Sequence, residues 1–421
     1  MRILILNQYF YPDHSATSQL MTDLAEELVE QGLEVTALAG RGRYNGGASL
    51  APRETYRGVR IERAWATSFG KGSIFGRLCD YLSFYFGAAW KLAVLPRHDL
   101  VMVLTTPPLI NLVALIIGRF RGMRVVALVQ DVYPDVAVSL GALKERSLLT
   151  RLLSRLNYLT LSGADRIIVL GECMRDRIQH LLGEEFSARM DIIHNWADGN
   201  ELKPLDGELN HFIEEHSLKD KFVVLFSGNM GHVNEFATVL NAAHLLRDRK
   251  DILFLFIGEG ARAPEIREFS TANRLQNIRM LPYQSRRMLR HSLAAGDVHL
   301  VTLVKGLAGL SVPSKTYGIM ASGRPILFVG DTSSTAARLV KKYRCGEVLE
   351  SGESERLAEV IAHWATNREE LSAIGSAARR AFEERFDRPQ AVDAYMQTFK
   401  KCMIAAPKSL MSTLMTKPSL R

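Results

Sequence analysis

The chain has 421 residues, with 53 basic and 45 acidic side chains for a formal charge of +8, 47% hydrophobic and 23% charged residues. This composition excludes collagen, coiled coil and wholesale disorder, and the length suits two or three domains that each bury a core without disulfide or metal staples. The basic excess is diffuse: 22 basic against 20 acidic groups in residues 1–200, and 31 against 25 in residues 201–421. A nucleic-acid partner calls for a basic stripe among aromatics, so none is expected, whereas anionic small molecules or an anionic membrane surface suit the pattern.

Cys79, Cys173, Cys345 and Cys402 are far apart and form no CxxC pair, which argues against a zinc ribbon, a redox motif or a disulfide framework. A reducing cytosol fits such usage. Met1–Leu6 enters a short apolar strand at once, without the longer apolar core and cleavage site of a signal peptide, so no export is expected. The longest apolar stretches break at Arg119 and Lys91, short of the roughly 18 residues a spanning helix needs.

Residues 2–7 read as a buried strand. Leu20, Leu24 and Leu28 then repeat at i, i+4, i+8 and predict a helix over 15–31, stopped by Gly32. Residues 34–39 complete a βαβ unit, whose parallel pairing demands a crossover helix. Further apolar strands are predicted at 100–104, 124–129 and 166–169. Residues 73–95 place Phe75, Leu78, Leu82, Phe86 and Trp90 near helical spacing, with Arg77 and Lys91 close by. That helix either packs on the sheet or presents an interfacial surface to a membrane. After a polar stretch over 195–220 the cycle restarts, with strands predicted at 222–226, 252–257, 277–281, 298–301 and 325–329, and helices at 234–247 and 316–321. The most economical architecture is α/β, two Rossmann-like doubly wound parallel-sheet domains facing a cleft that takes the substrates. The expected divisions are 1–200, 201–385, a C-terminal helix at 386–402 returning to the first domain, and a flexible tail at 403–421.

The familiar phosphate loops are missing. No GxxxxGK[ST] occurs, and the first strand leads into Asn7–Thr17, which contains no glycine, so P-loop hydrolysis and standard dinucleotide binding lose support. In that turn Ser15 or Thr17 caps the following helix, or the small residues with His14 line a loop that admits an acceptor. A stronger signal lies at 306–326. Ser311 and Pro313 predict a helix start there and Gly323 a stop. Its first N–H groups, with Ser314 and Lys315 beside them, suit a diphosphate. Asp131, in Gln130-Asp131-Val132-Tyr133-Pro134, follows a strand; it is either a turn aspartate or a group that accepts an acceptor hydroxyl's proton or holds a donor-sugar hydroxyl.

Five segments in order resemble family 4 of the GT-B glycosyltransferases: LILNQYFYPDHSATSQLMTDLAEELVEQGLEVT at the start, Val129–Pro134, Ile192–Trp196, Phe226–Gly231 and VPSKTYGIMASGRPI. Within it the chain is similar to bacterial surface-polysaccharide transferases of the colanic acid fucosyltransferase and O-antigen N-acetylfucosamine transferase type. The resemblance covers about residues 1–400. It implies transfer of a sugar from a UDP- or GDP-sugar, bound mainly by the second domain, to a lipid-linked saccharide held by the first, with retained anomeric configuration. Neither metal nor cofactor is expected beyond the nucleotide-sugar co-substrate, because basic side chains and helix N-termini neutralise the leaving diphosphate.

The residues so implied are Lys315 and Asp131 for catalysis, and Gly228, Asn229, Gly231, Gly258, Glu259, Tyr283, Ser314, Lys315 and Thr316 for the donor. His14, Ser15 and Thr17 are implied for the acceptor. Peripheral association with the cytoplasmic face of the inner membrane follows from a lipid-linked acceptor. The chain departs from the family in two respects: the E-x7-E pair falls on Leu310 and Gly318, and the family's arginine and lysine after the second domain's first strand fall on Asn229 and near Asn234. Two other activities fit the same fold, a sugar-nucleotide epimerase and a non-catalytic sugar-nucleotide-binding partner.

Overall fold

The computed structural model describes residues 1–44, 47–69, 74–205 and 210–405. The chain forms two compact units: Met1–His194 completed by residues from Ala391 onward, and Asn195–Gln390.

The strands of the first unit are β1 (Arg2–Leu6), β2 (Glu34–Gly40), β3 (Arg53–Tyr56), β4 (Val59–Ala64), β5 (Leu100–Leu104), β6 (Arg124–Leu128), β7 (Arg166–Val169) and β8 (Met190–Ile192). Its helices are α1 (Ala16–Glu30), α2 (Ile74–Val94), α3 (Ile110–Phe120), α4 (Asp135–Ser139), α5 (Leu148–Gly163) and α6 (Glu172–Leu182). The sheet runs β3-β4-β2-β1-β5-β6-β7-β8 and is parallel except for the β3–β4 hairpin. Strands buried on both faces read as unbroken apolar runs, and β5 (LVMVL) is buried throughout. On one face Phe84, Ala88 and Leu92 of α2 and Ile110, Ala114 and Leu115 of α3 close over Leu4, Leu6, Val101 and Val103.

The strands of the second unit are β9 (Phe222–Ser227), β10 (Ile252–Ile257), β11 (Ile278–Leu281), β12 (Val298–Leu303), β13 (Ile326–Gly330) and β14 (Gly346–Leu349). Its helices are α7 (His211–Glu215), α8 (Ala237–Leu245), α9 (Ala263–Ala272), α10 (Arg286–Ala294), α11 (Lys315–Ala321), α12 (Thr335–Tyr343), α13 (Ser354–Thr366) and α14 (Arg368–Arg385). All six strands are parallel, in the order β11-β10-β9-β12-β13-β14. Each sheet has a point where strand order reverses, between β1 and β5 and between β9 and β12. Loops at the carboxyl ends of those strands are where open parallel sheets bind ligands.

The units divide at His194–Asn195, earlier than the expected 200–201. The connecting segment bonds into the second unit: Gly199 N donates to Asp387 Oδ1 at 2.9 Å, Arg388 pairs with Asp198 at 3.1 Å, and Arg379 donates to Leu202 O at 2.8 Å. The last helix, α15 (Arg388–Ile404), contributes buried Tyr395, Phe399 and Cys402. Lys401 of α15 pairs with Asp191 at 3.3 Å in the first unit. Met403 and Ile404, expected in the tail, belong to this helix, and the tail from residue 406 lies outside the described residues. No helix among the described residues is long and apolar enough to cross a membrane.

Candidate active site

Register assembles the site of the second unit. Ser227, Ile257 and Leu281 sit side by side in β9, β10 and β11, so Gly228, Gly258 and Pro282 leave the sheet together. Gly228 N donates to Ile257 O and Gly258 N to Leu281 O, both at 2.9 Å, and Met230 N donates to Glu259 O at 2.8 Å. Two of these turns touch, which only glycine permits. Gly258 has φ +131°, and a Cβ there would collide with the Gly228 carbonyl oxygen. Tyr283 reaches across, its hydroxyl 3.5 Å from Glu259 O.

Lys315 enters this cluster from the β12 side. Its Nζ lies 3.3 Å from the centroid of the Phe226 ring, and 3.6 Å from where a Cβ on Gly228 would stand. Although the residue is partly exposed overall, the amino group has no exposed surface and no hydrogen-bond partner among the described residues. Burial pushes its pKa down to about 7. A buried amine facing only an aromatic ring is costly to fold around, and an anionic ligand would satisfy it.

The helix begins one residue before the predicted 316, and Ser311, read as its start signal, does not belong to it. Leu310 N and Ser311 N both turn back onto Leu307 O, at 3.0 and 3.3 Å, so Ser311 stands outside the helix and α11 opens at Lys315. Ser314 makes no side-chain capping bond, and buried Thr316 spends its hydroxyl on Pro313 O at 2.9 Å. The Thr316 hydroxyl proton is therefore already engaged within the turn. With seven residues, α11 is a weak dipole, and the charge of the site is that of Lys315.

The positions of the absent carboxylates hold no substitute. Leu310 is buried, and Gly318 faces Leu202. Asn229 is exposed, with its amide against Gly231 and Gly260. Asn234 is structural: Nδ2 donates to Asn229 O at 3.1 Å and Gly231 O at 3.2 Å, and Oδ1 accepts from Thr302. Arg262, which the sequence does not single out, braces this loop by donating to Asn234 O while gripping Glu265 with two bonds at 2.7 and 2.9 Å.

At the carboxyl end of the first sheet, Gln130 N and Asp131 N share Thr105 Oγ1 at 3.1 and 3.3 Å, which aims the loop after β6. Half-buried Tyr133 and Tyr44 lie close enough to Asp131 to feel its charge. Tyr9 and Tyr44 meet edge to face at 5.3 Å. The Tyr133 phenol is pushed well above its usual range by burial, with Asp131, Tyr81 and Tyr44 adding to the effect. Buried Gln130 Nε2, Gln8 Oε1 and Ser15 Oγ have no hydrogen-bond partner among the described residues. His14 is exposed, and Ser15 caps α1 in backbone only. The residue that holds this loop is Asp13, whose carboxylate accepts from Ser15 N at 2.8 Å and Tyr44 N at 2.6 Å. Its Asx-turn spacing to Ser15 was the available signal.

A cavity of about 570 Å³ opens elsewhere, where Asp297 and Pro325 precede β12 and β13, and is lined by Arg324, Arg368, Arg379 and Arg380. Arg368 pairs with Asp297, and Arg379 with Glu383 and the carbonyls of Leu202 and Ala321, so the charges of Arg368 and Arg379 are engaged within the fold.

Two doubly wound parallel units of this kind make a GT-B fold, the scaffold of a large class of glycosyltransferases. Models of the glycosyl transferase 4-like domain and of the glycosyl transferases group 1 match residues 17–196 and 209–381. WbjE of Pseudomonas aeruginosa, named a probable glycosyltransferase, is 31% identical over 69% of this chain and 71% of its own. WcaI of Escherichia coli (strain K12), named for colanic acid biosynthesis, is 23% identical over 82% of this chain and 86% of its own. The solved structure of Anabaena Alr3699/HepE in complex with UDP and glucose superposes with a TM-score of 0.73 at 15% identity, covering 95% of this chain and 99% of that one. The chain belongs to the group 1, family-4-like glycosyltransferases.

Proposed function

We propose that the chain transfers a sugar from a UDP- or GDP-sugar to a lipid-linked saccharide in surface-polysaccharide assembly, at the cytoplasmic face of a membrane. The observation that carries this reading is the buried, unpartnered amino group of Lys315 at the switch point of the second sheet. An anion with two phosphates satisfies it, and HepE, a protein of the same fold, was solved with UDP. The names of WbjE and WcaI support the polysaccharide context. Fucosyl or N-acetylfucosaminyl transfer is the sugar class we favour within it.

In this reading the bond between the sugar anomeric carbon and the diphosphate oxygen breaks, and the anomeric carbon bonds to the acceptor oxygen. Protonated Lys315 stabilises the charge that develops on the diphosphate, which makes a metal unnecessary. With retained configuration the departing phosphate oxygen takes the acceptor's proton, and Asp131 orients the acceptor hydroxyl among the tyrosines. Glu259, exposed beside the glycine turns, is the carboxylate available to the ribose.

Mass spectrometry of products from a panel of UDP- and GDP-sugars with a polyprenyl-diphosphate saccharide tests the reading. A glycosylated acceptor is expected, and Lys315→Met should remove both turnover and donor binding. An altered sugar nucleotide from donor alone would make the protein an epimerase, and donor binding without turnover on any acceptor a binding partner.

A further inference from the structure

We infer that the outward faces of α2, α3 and α5 form a docking surface for an anionic lipid bilayer, an inference that rests on the lipid-linked acceptor above. On α2, Phe84, Ala88 and Leu92 point into the core, yet the opposite side of the same helix is also apolar. Phe75, Leu78, Leu82, Phe86, Trp90 and Val94 follow one another at three- and four-residue steps and are all exposed, Phe86 by 77% and Trp90 by 70%. A helix that packs against a core on one side needs no such second stripe.

The surface extends to both sides of this helix. Trp65 and Phe69 are exposed just before it, and their segment is pinned to α2: Thr67 N donates to Ser83 Oγ at 2.9 Å, and Thr67 Oγ1 and Phe69 N donate to Asp80 at 2.8 and 2.9 Å. Next to α2 lies α3, with exposed Ile116 and Phe120, and next to α3 lies α5, with exposed Leu148, Leu149 and Leu152.

Charge selects the occupant. The three helices carry five basic residues, Arg77, Lys91, Arg119, Arg151 and Arg155, against one acid, Asp80, which is engaged as just described. Of these, Arg77, Arg151 and Arg155 are exposed. Exposed Trp and Phe with exposed arginine on adjacent helices suit the headgroup region of an anionic leaflet, where rings enter the interface and guanidinium groups meet lipid phosphates. A second copy of the chain would bring arginine against arginine. The face also adjoins the acceptor tyrosines, since Tyr81 of α2 lies close enough to Tyr9 and Tyr133 to raise both phenols. One helix thus turns a sugar-facing edge toward Asp131 and an apolar stripe toward the lipid, and the acceptor need not leave the bilayer to react.

Co-flotation of the full chain with vesicles tests this without donor or acceptor. Binding is expected to vesicles of phosphatidylcholine with phosphatidylglycerol and to weaken about tenfold or more on phosphatidylcholine alone. Phe86→Ser with Trp90→Ser should cut binding by about tenfold or more, and Arg151→Gln with Arg155→Gln by a similar factor. These exposed positions leave UDP affinity and Tm unchanged, so loss of vesicle binding is separable from failure of the transferase reading. No flotation with either vesicle, or flotation indifferent to all four substitutions, overturns the inference. So does a concentration-dependent dimer that Phe86→Ser with Trp90→Ser dissolves while vesicles stay unbound.

Discussion

At the scale of single residues, Lys315 links stability to ligand binding. Its amine titrates at its usual 10.5 in the unfolded chain and near 7 in the fold, because burial disfavours the ammonium. The unfolded chain holds the extra proton between those values, so stability from this group rises with pH from about 7 toward 10 and is lost as the pH falls through 7. Lys315→Met, which keeps the stem and removes the charge, should raise the Tm at pH 7 by roughly 2–4 °C or more while abolishing UDP binding, read by differential scanning fluorimetry and calorimetry. A diphosphate needs the charged form. UDP binding above pH 7 should therefore take up a proton and weaken by up to about tenfold per pH unit, and titrations at pH 8 in buffers of different ionisation enthalpy should report that proton. Asp131→Asn tests the other unit. It preserves the side chain's size but not its charge, so transfer should fall by about 10²-fold or more with UDP affinity unchanged, measured by steady-state kinetics.

At the scale of elements, the site depends on strands that end in register. Gly258→Ala would place a methyl group against the Gly228 carbonyl at φ +131° and push the β9 and β10 turns apart. The expected cost is about 1–3 kcal/mol in denaturant unfolding, with UDP affinity reduced in the molecules that remain folded. Much of this layer can be read from the chain. Strands buried on both faces are continuous apolar runs, so β5, β7 and β10 have the bounds their residues predict. The strands that escape such reading are β3 (RETY), β4 (VRIERA), β8 (MDI) and β14 (GEVL): three are short edge strands, and β4 carries Arg60, Glu62 and Arg63 among its apolar residues, so pairing with a neighbour rather than hydrophobic pattern makes each strand. Ser311 is not the helix start it resembles, because Leu307 accepts two amides and holds it in a turn, while α11 itself opens within one residue of the predicted 316. The glycines and Lys315 are visible as a motif, but the Phe226 ring against the amine is a tertiary contact, as are the tyrosines around Asp131 and the brace of Arg262. No local spacing announces them.

At the scale of the whole molecule, the two sheets have separate cores, and in the proposed reading each takes its own ligand. Phe226, Phe236 and Phe256 anchor one core, and Leu4, Phe84 and Val101 another. UDP should therefore stabilise the second unit selectively. In scanning calorimetry at about 100 times its Kd, it should add roughly 2.7 kcal/mol to one unfolding transition and leave the other in place. A uniform shift of a single transition would mean that the units unfold as one. The route of the backbone bears on how such a protein is made. The first unit closes only when α15 delivers Tyr395, Phe399 and Cys402. During synthesis the strands of the first sheet emerge early, yet they must wait until residues 391–404, beyond the whole second unit, leave the ribosome before these buried side chains arrive. The part of the enzyme born earliest is thus the part finished latest.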